Sequence, residues 1–129
     1  MDAEKFTKKS LEVIESCEKL AYEYNNQELT QAHLMYALVT VEDSLIAKLL
    51  TNMGINMDAF TGECEKLVAN RPKVSGGQLF TSPEFSKALI QAEKEAKQMG
   101  DDYISVEHIF LGLLAVSYTH LTLPTKRIV

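Results

Sequence analysis

A chain of 129 residues is long enough for one domain with a modest core. Its formal net charge of −5 argues against a nucleic-acid partner, because proteins that bind nucleic acid usually present a basic face. Its apolar runs are shorter than the roughly 20 residues that span a bilayer, and its N-terminus lacks the apolar core of a signal peptide, so we expect no membrane partner. Cys17 and Cys64 form no CxxC pair, which predicts two reduced thiols in a cytoplasmic protein.

The spacing of apolar residues and the position of capping residues predict four helices in the first half of the chain. The first runs from about Thr7 to Tyr24 with Thr7 as its cap, and its apolar face comprises Leu11, Ile14, Cys17, Ala21 and Tyr24. The later helices each follow a polar residue that can cap them: Thr30, then Asp43 or Ser44, then Asn56. Their apolar faces include, for the third, Leu45, Ile46, Leu49, Leu50 and Met53, and for the fourth, Phe60, Cys64, Leu67 and Val68. No stretch alternates convincingly with a period of two, so strands are not expected and the fold class is all-α.

A connector without helical periodicity follows at residues 70–78, where Pro72 and a glycine pair disfavour regular structure. Ser82-Pro83-Glu84 then supplies a cap, a proline at the first helical position and an acid in the first turn of the next helix. Gly100 ends this helix and Ser105 caps the one after it.

The chain contains an internal repeat. Leu29–Val39 (L-T-Q-A-H-L-M-Y-A-L-V) returns as Ile104–Leu114 (I-S-V-E-H-I-F-L-G-L-L), and each copy has a hydroxyl residue followed three places on by a histidine. His33 and His108 are 108 − 33 = 75 residues apart. The order of helix, polar turn and capped helix therefore occurs twice, as in a tandem repeat.

Residues 116–129 depart from the repeat. The first copy continues into two more helices. The second copy continues with the sequence V-S-Y-T-H-L-T-L-P-T-K-R-I-V, whose threonines and proline disfavour a core helix. Val116–Thr125 is what results from translating GTC TCT TAT ACA CAT CTG ACG CTG CCG ACG, which resembles a transposase-based sequencing adapter. We therefore interpret residues 116–129 as an adapter-derived artefact and the chain as a fragment. The alternative is a genuine divergent tail, and the underlying codons distinguish the two.

The motifs F-T-K-K-S-L-E, G-G-Q-L-F-T-S-P-E and G-D-D-Y-I-S-V-E-H-I-F-L-G-L-L, together with the repeated helices, resemble the N-terminal domain of Clp-type AAA+ chaperones. The resemblance covers Lys5–Ala115, and the linker motif is most similar to ClpB disaggregases. It implies two pseudo-symmetric four-helix repeats, of which the second is truncated here after its second helix. The domain then comprises residues 1–115, with repeat one at 5–69, a linker at 70–80 and partial repeat two at 81–115.

The resemblance also implies a function. In that family the domain is a mobile appendage on an ATP-driven hexamer, where it binds unfolded or aggregated polypeptide, or adaptor proteins, and passes substrate to a threading pore. We therefore expect a substrate- or adaptor-binding module of a ClpB-type disaggregase. The chain has no G-x-x-x-x-G-K-[ST] loop, so it is not expected to be an enzyme or to hold a cofactor, and ATP, Mg²⁺ and the hexamer contacts belong to ATPase modules outside it. The alternative is the adaptor-binding domain of a ClpC- or ClpA-type unfoldase of a protease complex.

Five residues are candidate substrate contacts. Thr7, Asp101 and Glu107 match positions implicated in substrate handling in the ClpB family. Each also has a structural interpretation, respectively as a helix cap, a turn residue and a first-turn acid. Leu79 and Phe80, on the linker, are candidates for an apolar peptide groove, or else they pack beneath the linker as core.

The two copies differ in charge. ClpC-like relatives recognise phosphorylated arginine through a glutamate before the histidine in both repeats, whereas this chain has Ala32 in the first copy and only Glu107 in the second. Because a carboxylate is needed to pair with a guanidinium, phosphoarginine recognition is disfavoured.

The repeated histidines are expected to be structural. A zinc site would need three or four clustered ligands, and a small enzyme built on His33, His108 and Glu107 would need a nucleophile beside a base. Ser105 is near His108 but is better explained as a cap. We therefore assign no catalytic and no metal-binding residue.

Overall fold

The computed structural model describes residues 3–74 and 77–120, with side chains up to residue 116. In this part of the chain the fold consists of six α-helices: α1 (Lys8–Glu23), α2 (Gln31–Thr40), α3 (Leu45–Asn52), α4 (Met57–Ala69), α5 (Pro83–Gln98) and α6 (Val106–His120). A short 3-10 helix, Ala3–Lys5, precedes α1. The predicted helical class is confirmed. None of the described helices is long and apolar enough to cross a membrane.

Four helices begin at side chains that the sequence predicted as caps. Thr7, Ser44, Asn56 and Ser82 each accept a hydrogen bond from the backbone N–H three residues further on, and thereby satisfy a donor that the helix itself leaves unpaired. Of the two candidates for the start of α3, Ser44 is the cap, while Asp43 adopts a left-handed φ of 55°.

Two short strands show that the expectation of no strands is wrong. β1 (Glu28–Leu29) and β2 (Phe80–Thr81) pair in parallel. Strands of two residues are too short for an alternating pattern to appear in the sequence. Their pairing connects the linker to the segment before α2.

The start of each half of the chain is hydrogen-bonded to the other half. The Thr7 N–H donates to the Ile104 carbonyl oxygen (3.0 Å), and the Ser82 N–H donates to the Leu29 carbonyl oxygen (2.8 Å). The second bond repeats the first with the halves exchanged, since 82 − 7 = 75 and 104 − 29 = 75. The start of α1 is therefore joined to the start of α6, and the start of α5 to the start of α2.

A single hydrophobic core takes residues from both halves of the chain. α2 contacts all five other helices. The largest fully buried apolar side chains are Leu34, Leu38, Ile46, Phe85, Ile109 and Leu113. Each half thus buries its apolar face against the other half.

Several residues predicted for the core lie elsewhere. In α1, Cys17 and Ala21 are buried as predicted, but Ser10 and Val13 are fully buried in place of Leu11 and Ile14, which are partly buried. In the third and fourth predicted helices, four residues predicted to face inward are exposed: Leu45, Leu49, Met53 and Leu67. These helices are apolar on more than one side, so helical spacing alone does not determine which side faces the core.

α6 continues to His120, whereas α2 ends at Thr40, the position equivalent to Ala115 because 40 + 75 = 115. The first residues after Ala115 are therefore helical in spite of their poor helix-forming composition. The remainder of the predicted artefact tail, residues 121–129, lies outside the described residues. Its origin stays a prediction that the codons would test.

Candidate functional site

His108 fixes the polar turn that precedes α6. Its Nδ1 accepts the Ser105 backbone N–H (2.9 Å) and lies 2.9 Å from the Ser105 hydroxyl, while its Nε2 lies 2.9 Å from Asp101 Oδ2. Since Nδ1 is an acceptor, Nε2 carries the hydrogen and donates it to the carboxylate. The ring is buried, whereas the Asp101 side chain is 51% exposed. Asp101 therefore holds the ring with one oxygen while its side chain stays partly open to solvent.

His33 makes the equivalent bonds in the first copy. Its Nδ1 accepts the Thr30 backbone N–H (3.0 Å), and its Nε2 lies 2.8 Å from Asn26 Oδ1. Burial lowers the pKa of His33 to about 4, and the positive charge of Arg71 acts in the same direction. The ring is therefore neutral at physiological pH. The predicted structural role of both histidines agrees with these contacts.

The partner of the ring is what differs between the copies. Asn26 is buried, at 5% exposure, and neutral, whereas Asp101 presents a partly exposed carboxylate at the equivalent place, since 101 − 26 = 75. Together with the exchange of Ala32 for the exposed Glu107, this makes the second helix start the more acidic one. The sequence predicted the acidic character of Asp101 and Glu107 in the second copy, but not that Asn26 is the counterpart of Asp101 and bonds the ring of His33.

Thr7 lies beside this acidic helix start. Its backbone pairs with Ile104, between Asp101 and the first turn of α6, and its Oγ1 caps α1 by accepting the Ser10 N–H (3.2 Å). The structure thus brings the three polar candidates, Thr7, Asp101 and Glu107, to the joined starts of α1 and α6.

Leu79 and Phe80 lie instead at the joined starts of α2 and α5. Phe80 is 51% exposed, whereas Leu79 is partly buried and packs against the core. The structure therefore separates the two linker residues: Phe80 is available for contact, and Leu79 belongs largely to the core.

Two clefts flank the pair of short strands. The smaller, of about 180 Å³, includes Asn26, Val74 and Phe80 in its lining. The larger, of about 630 Å³, lies between α2, α4 and the start of α5, and includes Gln31, Met35 and Phe60. Apart from Phe80, none of these cleft residues was predicted as a site from the sequence.

The Ser105, His108 and Asp101 contacts do not form a catalytic triad. The Nδ1 lone pair that would accept the serine proton already accepts the Ser105 backbone N–H, and the first copy repeats the arrangement with an amide in place of the acid. Among the described residues, no group of three or more His, Cys, Asp or Glu side chains could hold a metal ion.

These features define a class of protein, namely a mostly helical domain with an internal repeat. In this class the start of each half is hydrogen-bonded to the other half, and exposed polar and apolar side chains cluster at the helix starts. The chain belongs to the Clp repeat (R) N-terminal domain family, whose model matches residues 5–123. The family resemblance read from the sequence is confirmed.

Similar proteins include ClpB chaperones. Chaperone protein ClpB of Nitratidesulfovibrio vulgaris is 40% identical over 119 residues, which is 88% of this chain and 14% of that protein. ClpB of Bacillus cereus is 34% identical over 117 residues, which is 87% of this chain and 14% of that protein. The chain thus spans 14% of the length of these relatives, and no ATPase region is part of the family match.

Solved structures share the fold. The N-terminal domain of Hsp104 from Candida albicans superposes with a TM-score of 0.79 at 20% identity, covering 90% of this chain and 81% of that one. The N-terminal domain of the ClpV1 ATPase from E. coli superposes with a TM-score of 0.77 at 20% identity, covering 86% and 68%.

Proposed function

We propose that this chain is the substrate- or adaptor-binding N-terminal module of a cytoplasmic ClpB-type disaggregase, and that it binds polypeptide without hydrolysing ATP. The observation that carries the proposal is the family match over residues 5–123 together with 40% identity to a ClpB chaperone. ClpB relatives favour this assignment over the ClpC- or ClpA-type alternative.

The residues proposed to contact substrate form two groups. Thr7, Asp101 and Glu107 offer hydroxyl and carboxylate groups at the joined starts of α1 and α6, where Asp101 and Glu107 are exposed. Phe80 offers an exposed aromatic ring at the joined starts of α2 and α5. Exposed apolar surface of this kind often marks an interaction site. Unfolded polypeptide supplies complementary groups for both, namely main-chain amides and apolar side chains.

Titration with a reduced, carboxymethylated model polypeptide tests the proposal. We expect saturable binding by the chain, no binding of the same polypeptide in its native folded form, and no ATP hydrolysis above background. The double change of Leu79→Ala and Phe80→Ala should weaken binding. Phe80→Ala alone should account for most of that loss, while Leu79→Ala should mainly reduce stability because Leu79 packs against the core. Absence of binding to the unfolded polypeptide would contradict the proposal.

A further inference from the structure

Each half of the chain has an open cleft between its first two helices, and we call these two the outer clefts. The outer cleft of the first half, between α1 and α2, has a volume of about 220 Å³, and that of the second half, between α5 and α6, has a volume of about 250 Å³. They share three pairs of lining positions that are 75 residues apart: Ser16 and Gln91, Lys19 and Lys94, and Thr40 and Ala115. The first-half cleft is open although α3 and α4 follow α2, so a repeat with four helices leaves this surface uncovered.

The outward sides of α5 and α1 beside these clefts have opposite charge. The α5 ridge consists of Lys87, Ile90 and Lys94, which are exposed and lie on one face at helical spacing. The equivalent positions of α1, since 87 − 12, 90 − 15 and 94 − 19 are each 75, form the α1 ridge: Glu12, Glu15 and Lys19. The exposed Glu23 extends the α1 ridge by one turn. The α5 ridge is therefore basic around an apolar side chain, while the α1 ridge is mainly acidic.

Most of these charges have no partner within the described chain. Among the residues that the structure describes, neither Lys87 nor Lys94 forms an ion pair, and within the same residues Glu15 and Glu23 form none. Ile90, between the two lysines, is 49% exposed, although isoleucine is among the residue types most often buried. Unpaired lysines around an exposed apolar side chain favour contact with an acidic surface.

A second copy of the chain offers the complementary surface. The first-half outer cleft is lined in part by the side chains of Leu20, Tyr36 and Ala37, so it can receive Ile90 of another copy. The second-half outer cleft is lined by the two lysines of the α5 ridge, so it can receive the carboxylate of Glu15. Because Glu15 and Ile90 occupy equivalent positions beside equivalent clefts, one pseudo-twofold contact inserts both side chains at once.

We propose that copies of this chain associate through the α5 ridge of one copy and the α1 ridge of the next. Glu15 lies between the lysines of the neighbouring copy's α5 ridge, and Ile90 enters the neighbouring copy's first-half outer cleft. Because the two ridges are different surfaces, each copy keeps one ridge for a further copy, and the contact continues head to tail. The inference goes beyond the proposed function, since neither ridge contains a residue proposed to contact substrate.

The contact is small and ionic, so we expect a weak association with a Kd of about 1 mM at low ionic strength. Two-dimensional ¹H–¹⁵N spectra of the chain between about 0.05 and about 2 mM measure it. Amide signals of α1 and α5 should shift with concentration, and about 500 mM NaCl should abolish the shifts. Ile90→Ser should raise Kd about fivefold. Spectra of the parent that do not change with concentration would overturn the proposal.

Charge reversal tests which surfaces meet. Lys87→Glu with Lys94→Glu, and separately Glu15→Lys with Glu23→Lys, place like charges opposite one another and should each abolish the concentration-dependent shifts. All four positions are exposed, so the fold should persist. An equal mixture of the two variants should restore the shifts, because both ridges of one variant then meet opposite charge on the other. A mixture that stays monomeric would overturn the proposal.

The matched control is Lys48→Glu with Lys66→Glu, which reverses two exposed lysines on α3 and α4 and so changes the net charge by the same amount as the α5 variant. This control should associate as the parent does. Loss of association in the control would overturn the proposal, since net charge and not the ridges would then govern the contact.

The outcomes also separate this inference from the proposed function and from another occupant. All variants should bind the carboxymethylated polypeptide as the parent does. Association without polypeptide binding would support the inference and contradict the proposed function, and polypeptide binding without association would do the reverse. If the parent does not self-associate but an acidic helical peptide of glutamate and leucine shifts the α5 amide signals, the α5 ridge binds a different protein and the second copy is overturned as its occupant.

Discussion

A single histidine ring organises each helix start at the residue scale. In both copies Nδ1 accepts the backbone N–H three residues earlier, and Nε2 bonds the side chain seven residues earlier. The ring thus takes the place that glutamate or glutamine occupies in a capping box and also holds the preceding turn. This explains why the histidine and the hydroxyl residue recur together in the sequence.

His33 makes stability depend on pH. In the folded chain the pKa of His33 is about 4, whereas an unfolded histidine has a pKa of about 6.5. Between these values the unfolded state binds a proton that the folded state does not, so the contribution is fully present above pH 6.5 and is lost as pH falls toward 4. We expect a loss of roughly 2–3 kcal/mol across this window.

Urea unfolding at pH 7 and pH 4.5 measures the change, with His33→Gln as the comparison. Glutamine suits the same capping position but does not titrate, so the variant should show a smaller dependence on pH over this range. The same dependence in both proteins would mean that other groups cause it.

Side chains whose hydrogen-bond partners are close in the chain were predictable from the sequence. Thr7, Asn56 and Ser82 could be predicted as caps because a cap needs only a backbone N–H three residues further on, and each of them accepts that N–H. The sequence did not predict that Asn26 bonds His33, or that Ser10 is buried because its hydroxyl donates to the Ile104 carbonyl oxygen (2.9 Å). The first contact depends on the conformation of the turn before α2, and the second on how the two halves of the chain pack against each other.

At the scale of elements, α5 and α6 approach each other closely. Gly112 in α6 lies against the α5 backbone: a Cβ atom at this position would lie 2.8 Å from Ala92 N and would also clash with the Ala88 carbonyl oxygen. Such contacts cannot be relieved by rotating a side chain. The helices touch here because Gly112 has no side chain and its neighbours have only methyl groups.

Gly112→Ala should therefore lower the free energy of unfolding by about 1–3 kcal/mol, through overpacking, although alanine favours a helix by about 1 kcal/mol. The matched control is Gly62→Ala in α4, where a Cβ atom would meet nothing within 4 Å. That change should raise stability by about 0.5–1 kcal/mol. Chemical denaturation of both variants measures the difference, and two changes of the same sign would contradict the explanation.

The elements also show where helical spacing stops being informative. The spacing identified α3, but Leu45 and Leu49 are 49% and 44% exposed while Ile46 and Leu50 are buried. Four leucine and isoleucine residues within six positions give no preference for either side. The two clefts beside β1 and β2 were not predictable for a related reason, because their walls come from α2, α4 and the linker.

At the scale of the whole molecule, one core predicts one unfolding transition. Ile109 is fully buried in a core that also contains Val13 and Cys17 of α1. Ile109→Ala should lower the unfolding free energy by about 2–5 kcal/mol. Because the halves share the core, we expect the slowest-exchanging amides of α1 to lose as much protection as those of α6.

Hydrogen exchange followed by mass spectrometry reports on both helices in one experiment. Leu45→Ala, at a 49% exposed position, is the matched control and should leave the amide protection of both helices unchanged. Unchanged protection of α1 in Ile109→Ala would show that the halves unfold independently.

The paired bonds from Thr7 to Ile104 and from Ser82 to Leu29 have a consequence for ancestry. Neither half can make its own bond, since the donor lies in one half and the acceptor in the other. Two identical copies of a single half, placed about a twofold axis, would make both bonds at once. The pair of bonds is therefore the one that a symmetric homodimer of a single half would make, as expected for a tandem duplication, and it is present although the copies differ elsewhere, as Asn26 and Asp101 do.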